Sequence, residues 1–562
     1  MVVHLMLLAL AADDPCKPPP TDAPSNTARP FVLHIENDSI RVFGGGDNSY
    51  TQGLQLHASR RNEWGFMKKV TDQLRPCHAE SGQSSWAIGQ TIFTPHNIIT
   101  YSPPKGDRPF AGFLWVTAGT SFTRLGFEAE PEDDGRPGKS AHDRRVGLEL
   151  SLGLIGPKAQ GRTAQAAFHV LREARIPKGW YQELGRRPEI GGLLRFEDRI
   201  LQLRQETQDS PKRWFDVTTD VRFVLGTMQA YAATAATARI SPWHLPGFPS
   251  NTIPYSIDRS AARGLRVALV VGGEARGVFH NAFLGKSPEI TRETWLTEWR
   301  AGLEFSLREW QLSYMHINRT REFNSPHPEI PQRHGFASIE LRRGVPLDEP
   351  TRRLKALRGV RVDLRLGRGE SSVQPTLPVD PELSLAASAG LEWNPYKRFI
   401  IGFEKTAVVR EEGPPGSTPC ASATPCHRDL FVIGNVVSVG VELLPRTSAL
   451  ALQARAGLGR AALKHQEVPD TGTVLEPSKD TFINTPMSAN ARLVGGRLLW
   501  RSSAPVSLAL DGTWTRLSPR GSAFSKASFW TTTLGVQVHP FGRNWCSRKG
   551  DARSRDGCAA NE

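Results

Sequence analysis

His169 is the residue type best suited to take a proton near neutral pH, because an unperturbed imidazole titrates there. It stands in a run from Gly161 to Arg175, introduced by Gly156-Pro157 and stopped by Pro177, which reads as a short helix. Arg162, Gln165, His169 and Arg172 share one face of that helix, opposite Ala164, Ala167, Phe168, Leu171 and Ala174. A histidine and a glutamine one turn apart, flanked by two arginines, suit an anionic ester substrate. A solvated helix face has the same pattern. Three further polar clusters stand at strand-end positions: Glu36-Asn37-Asp38, Tyr50-Thr51-Gln52-Gly53, and Gly106-Asp107-Arg108-Pro109-Phe110-Ala111-Gly112. There is no G-x-S-x-G elbow, no phosphate-binding P-loop and no H-E-x-x-H, so serine-hydrolase and zinc-protease chemistry on their usual scaffolds are not indicated.

The elements that must hold these residues are strands. Glycine and proline together make 93 of 562 residues, which favours turns over a helical bundle. Val146, Leu148, Leu150 and Leu152 alternate with small and polar residues. Trp299, Ala301, Leu303, Phe305 and Leu307 do so against Arg300, Gly302, Glu304 and Ser306. Such alternation sets one face in an apolar medium and the other in a polar one. No apolar run approaches the ~20 residues of a spanning helix, but a membrane β-barrel leaves no such run. Residues 31–343 hold about a dozen strand candidates. After a proline- and charge-rich connection over 344–356, eight alternating segments begin near Leu357, Leu383, Phe399, Leu430, Ala449, Ala489, Val506 and Phe529. Eight strands suffice to close a small barrel. Residues 357–541 are therefore expected to form a second ring, in the membrane or as a soluble small barrel.

The ends of the chain speak for export. Leu5 to Ala12 is a compact apolar core followed by Asp13-Asp14-Pro15, as at a signal peptidase site, so 1–12 is read as a signal peptide and 13–30 as a proline-rich segment. Only His4 stands where a basic flank belongs, and a buried N-terminal strand is the alternative. Cys420 and Cys426, and Cys546 and Cys558 in the basic tail 542–562, are close enough in sequence for small disulfide loops, leaving Cys16 with Cys77. Six cysteines allow 15 connectivities, and six unrelated thiols remain the plain alternative. The net charge of +14 keeps anionic partners open.

Asn37-Asp38 followed by Tyr50-Thr51-x-Gly53 resembles the opening of the outer-membrane lipid A 3′-O-deacylase family. Gly89-Gln90-Thr91-Ile92-Phe93-Thr94-Pro95, Asp107-Arg108-Pro109-Phe110-Ala111-Gly112, Gly156-Pro157, Gln165-x-x-x-His169, Gly179-Trp180-x-Gln182 and Thr320-Arg321-Glu322-Phe323 continue the resemblance in order over about 31–343. It implies an all-β fold: a twelve-stranded antiparallel outer-membrane barrel with a short active-site helix. The eight-stranded antiparallel barrel would follow it. The resemblance also implies calcium-dependent removal of the 3′-linked acyloxyacyl group from lipid A. Catalytic roles fall on His169, Asn37, Asp38, Thr51 and Gln165. His169 would serve as general base, and Asn37, Asp38 and Thr51 would supply oxygen ligands to Ca²⁺ or another hard cation. Arg108, Arg162 and Arg172 would meet lipid phosphates. The partners so implied are lipopolysaccharide and outer-membrane lipids, not nucleic acid. Phe110 stands where the family often has tyrosine, and the C-terminal region is an addition to the family pattern. A non-catalytic barrel pore that kept the scaffold, or an outer-membrane phospholipase, are the rival readings.

Overall fold

The computed structural model describes residues 31–40, 49–60, 83–98, 105–124, 144–171, 177–185, 189–204, 215–243, 262–285, 287–308, 310–328, 330–343, 360–374, 381–396, 398–412, 426–444, 449–469, 487–501, 506–519 and 526–538. The expected signal peptide, the 344–356 connection, the tail, Arg172 and every cysteine side chain lie outside the described residues. The described chain divides into two compact units, 1–162 with 178–349, and 163–177 with 350–562.

The first unit is a closed antiparallel ring. Its strands are β1 (Phe31–Asn37), β2 (Ser49–Arg60), β3 (Gln83–Thr94), β4 (Ala111–Arg124), β5 (Arg144–Ile155), β6 (Glu189–Arg204), β7 (Phe215–Gly226), β8 (Gln229–Ile240) and β9 (Ala262–Asn281). The pair β10 (Thr291–Arg292) and β13 (Phe323–Asn324) stands apart as a small ribbon, and β11 (Trp295–Arg308), β12 (Trp310–Thr320) and β14 (Arg333–Arg343) complete the ring. Closure is made by β1, which pairs with β2 on one side and β14 on the other, Asn37 lying between Gln52 and Ala337. Twelve strands thus close without a free edge, as the family resemblance implied.

Side-chain parity then decides the environment. Leu150, Leu152, Val221, Leu269, Val271, Trp299 and Leu303 point outward and are exposed. The lumen takes the charges, and it pairs them. Arg239 grips Asp216 through two bonds of 3.0 and 2.7 Å and reaches Glu304, while Arg319 holds Glu298 at 2.9 and 2.7 Å. Arg222 and Arg276 converge on Glu274.

The second unit contains another closed ring, in simple sequential order: β15 (Val360–Gln374), β16 (Pro381–Tyr396), β17 (Phe399–Glu412), β18 (Cys426–Glu442), β19 (Leu450–Pro469), β20 (Met487–Arg501), β21 (Val506–Pro519) and β22 (Lys526–Val538). The strand starts read from the sequence lie within a few residues of these. Arg361 and Arg365 alternate with the outward Val362, Leu364 and Leu366 on β15, so they face the lumen, and both are buried. They join a closed ionic cluster: Arg497 contacts Asp363, Glu392 and Asp511, and Arg455 contacts Glu392, Glu404, Asp511 and the Ser438 hydroxyl. Arg365 bonds Glu404 and Asp511 at 2.5 and 2.8 Å, and the Gln537 amide donates to Asp363 and Glu392 at 2.9 Å. Every strand of the ring contributes to it.

The helix α1 (Gly161–Leu171) has all but its first turn in this second unit. Ala166, Ala167 and Leu171 pack there with Leu385, Ala387, Ala407, Val409 and Ile433.

Buried ion clusters add little net stability, but removing one partner strands the others in low dielectric. Arg497→Ala should therefore cost about 3–5 kcal/mol. The check is a denaturant or heat titration of the folded barrel. Adding Glu392→Gln should recover part of the loss, since it removes the charge left unbalanced.

Candidate functional site

One end of the first ring collects most of the residues singled out by type. Asn37 closes β1 and Asp38 opens the 3-10 turn Asp38–Ile40 that follows it. Both are about 1% exposed. Asn37 stands opposite Gln52 in β2, and Thr51 occupies the register irregularity between Tyr50 and Gln52. The backbone thus brings Asn37, Asp38 and Thr51 to one place. An amide carbonyl, a carboxylate and a hydroxyl, in that order, are hard oxygen donors, the type a calcium ion takes. Among the described residues no group of three or more His, Cys, Asp or Glu is arranged to hold a metal.

Which side of the wall this place is on follows from parity. His34 and Glu36 line the lumenal cavity of about 250 Å³, so Asn37, next along β1, faces outward. The following turn stays on the outer side, where the Tyr314 hydroxyl donates to the Ile40 carbonyl at 3.2 Å. The 3-10 turn Pro157–Ala159, which follows β5, also lies against the outer wall. Thr91, Phe93 and Phe113 line the cavity, which turns Gln90 and Gly112 outward. The Gln90 amide donates to the Ala159 carbonyl at 2.6 Å.

The first turn of α1 is seated by glycines. A Cβ on Gly112 would lie 3.0 Å from the Gly161 Cα, and one on Gly161 would meet the Trp180 ring at 2.5 Å. Trp180 in turn packs on Phe110, ring centroids 5.0 Å apart, so phenylalanine at this position serves as a packing ring.

Gln165 and His169 lie one turn apart on α1 and are both buried. That excludes the solvated-face alternative for this pair. Arg162, at the start of the helix, is half-buried.

Arg108 is fully buried. Its Nη1 donates to Glu322 at 3.3 Å, and its guanidinium lies 4.3 Å from the centre of the Phe93 ring. The sequence expected this arginine to reach a lipid phosphate; the structure sets it as an internal ion pair tying the Asp107–Pro109 turn to the loop after β12. Burial lowers the Arg108 pKa, opposed by the Glu322 and Asp107 charges. Burial likewise pushes Glu322 up, but the Arg108 and Arg319 charges overcome it and hold the carboxyl at about 2. Burial raises Asp107 despite backbone bonds from His96 and Arg108, each 2.7 Å.

Two residues of this end escaped the sequence reading. Glu322 was inside a quoted motif, but its partner is 214 positions away. Glu183 follows Gln182 directly. Burial pushes its carboxyl up to about 7, with the Arg162 charge pulling the other way. Its sequence neighbours gave no sign that it would be buried.

The family model for outer membrane protein LpxR matches residues 1–344. The chain belongs to the LpxR family of outer membrane proteins. Among solved structures, LpxR from Salmonella typhimurium is 18% identical, covering 56% of this chain and 99% of that one, with a TM-score of 0.42. Neisserial surface protein A is 10% identical over 32% of this chain and 97% of its own, TM-score 0.23. The attachment invasion locus protein Ail of Yersinia pestis is 9% identical over 32% of this chain and 96% of its own, TM-score 0.22. No curated protein matches.

Two outcomes test the geometry of this end. Gly112→Val should push the start of α1 off the wall and, for a displacement near 1 Å, lower activity by about 10²-fold, with the barrel still folded by gel mobility. Glu183 has a folded pKa above its ordinary 4.5, so between about 4.5 and 7 the folded state holds a proton that the unfolded chain has lost. Stability contributed by this group therefore falls as pH rises through that window. Glu183→Gln should melt higher than the parent protein at pH 8, by on the order of 1–2 kcal/mol, and should match it at pH 4.

Proposed function

We propose that this outer-membrane protein hydrolyses the 3′-linked acyloxyacyl ester of lipid A. The observation that carries the proposal is the position of Asn37 and Asp38, buried on the outer side of the wall rather than in the lumen. A lipid substrate lies in the bilayer around a barrel, and an outer-wall site meets it there. The family match over 1–344 supports the same reading.

In this proposal His169 takes a proton from a water molecule as the water oxygen bonds to the ester carbonyl carbon, and returns it to the leaving alkoxide. Gln165, one turn away, orients the imidazole or the water. Asn37, Asp38 and Thr51 are the residues that would hold Ca²⁺, or another hard divalent cation, since their side chains are oxygen donors. When bound, the cation supplies positive charge for the carbonyl oxygen as it becomes an oxyanion. Arg162 and Arg172 meet the phosphates of lipopolysaccharide. The ion pairs crossing the lumen weigh against an open pore as the function.

His169→Ala should lower deacylation by on the order of 10²–10⁴ while the barrel stays folded. Mass spectrometry of lipid A from cells expressing each form reads this directly, and near-parental activity in the folded variant would remove His169 from the role. Exhaustive chelation should stop the reaction and added Ca²⁺ restore it. Undiminished turnover in chelator would leave the oxyanion to protein donors alone.

A further inference from the structure

The outer wall of the second ring carries two features that the proposed deacylation does not use. The first is an apolar belt. Leu364, Leu391, Phe403, Val437, Leu458 and Leu534 all point outward with two-fifths or more of their surface exposed. Equivalent residues stand on the remaining strands, Leu498 on β20 and Leu510 on β21. Trp393, Phe399 and Trp500 mark the belt near the short connections, and the paired rings of Trp514 and Trp530 stand farther along the wall. A protein partner would cover one sector. A belt on all eight strands needs a medium that surrounds the barrel, and strands of 13–20 residues exceed the ~9–11 needed to cross hydrocarbon.

The second feature is a basic collar. Arg368, Lys405, Arg460, Arg492 and Arg516 also face outward, at the margin of the belt away from the short connections. The ladder sets them around the wall: Lys405 pairs with Asn435, Asn435 with Arg460, and Arg460 with Asn490. Arg492 stands directly across from Arg516. Like charges in that position repel unless an anion lies between them. Among the described side chains of this ring the acids, Asp363, Glu392, Glu404, Glu442 and Asp511, are all buried, whereas Arg460, Arg492 and Arg516 are exposed.

We propose that the C-terminal ring is a second membrane-spanning barrel, with bilayer hydrocarbon against its belt and phosphate-bearing lipid headgroups on its basic collar. The closed ionic cluster fills its lumen, so it spans without conducting. An outer-membrane barrel precedes it on the same chain, which places the hydrocarbon within reach. The inference is independent of deacylation.

The full-length protein tests it in two ways. Single cysteines replace Val439, Leu534 or, as the reference in the first barrel, Leu152, each labelled with an environment-sensitive dye. In phosphatidylcholine vesicles with brominated acyl chains, the labels at 439 and 534 should be quenched to within about twofold of the label at 152. Quenching at 152 alone, with 439 and 534 open to aqueous iodide, would overturn the spanning claim. For the collar, the protein is taken from vesicles of equal phosphatidylglycerol and phosphatidylcholine, and its retained lipid is measured by mass spectrometry. The parent should retain phosphatidylglycerol in several-fold excess. The triple variant Arg460→Gln, Arg492→Gln, Arg516→Gln should lose that excess, and the corresponding triple lysine variant should keep it. An unchanged excess in the glutamine variant would overturn the headgroup site.

Discussion

Backbone pairing around a closed ring is the constraint from which the rest of this structure follows. A strand facing hydrocarbon cannot leave N–H or C=O groups unmet, so each sheet must return to its own first strand. In the first unit β1 performs that closure with only seven residues, between β2 and β14. Once the ring is closed, the period of two leaves no freedom. A residue is in the lumen or on the wall according to its parity, and a slip of one position would exchange the two.

The same constraint explains the treatment of charge. The alternation sends arginines and carboxylates inward, where isolated ions are costly, and the lumen answers with shared partners rather than simple pairs. Glu274 serves Arg222 and Arg276; Asp511 serves Arg365, Arg455 and Arg497. A mesh of this kind holds strands in register as well as neutralising them. In the first barrel the same charges line a lumenal cavity of about 250 Å³.

On the outer side, at one end of the first wall, the structure gathers several of the polar residues that the motifs singled out. The ends of β1 and β2 bring Asn37, Asp38 and Thr51 together, and facing glycines, Gly112 and Gly161, let the start of α1 lie against the strands. Arg108 and Glu322 brace the loops at this end from within. The lumenal cavity of the first barrel is lined by residues of the opposite parity. A wall-side arrangement is what a lipid-directed chemistry needs, since the lipid reaches the barrel from outside.

Much of this was legible in the sequence because alternation is local. Val146 to Leu152, Trp299 to Leu307 and Val506 to Trp514 each declared a strand and its two faces without reference to any other segment. The required inward turn of Arg361 and Arg365 followed from the same rule, and so did the separate closure of eight further strands. Motif order singled out Asn37, Asp38, Thr51 and His169, with Gln165 beside them, and their roles belong to the proposal. What the sequence left open depends on contacts between distant segments. Arg108 could be assigned to a substrate phosphate until Glu322, 214 residues away, was seen to hold it. Glu183 gained its raised pKa from burial under neighbours that its own segment does not specify. The opposition of Arg492 and Arg516 emerged only from the ladder register. Residue type and periodicity determined the strands and their two faces, because each is fixed within a few positions. The twelve-stranded closure was implied by the family resemblance and is made by β1 pairing with β14 some 300 residues away. The partner of each buried charge, and the side of the wall on which each polar cluster acts, were decided by tertiary structure, because burial and pairing are set by residues far away in the chain.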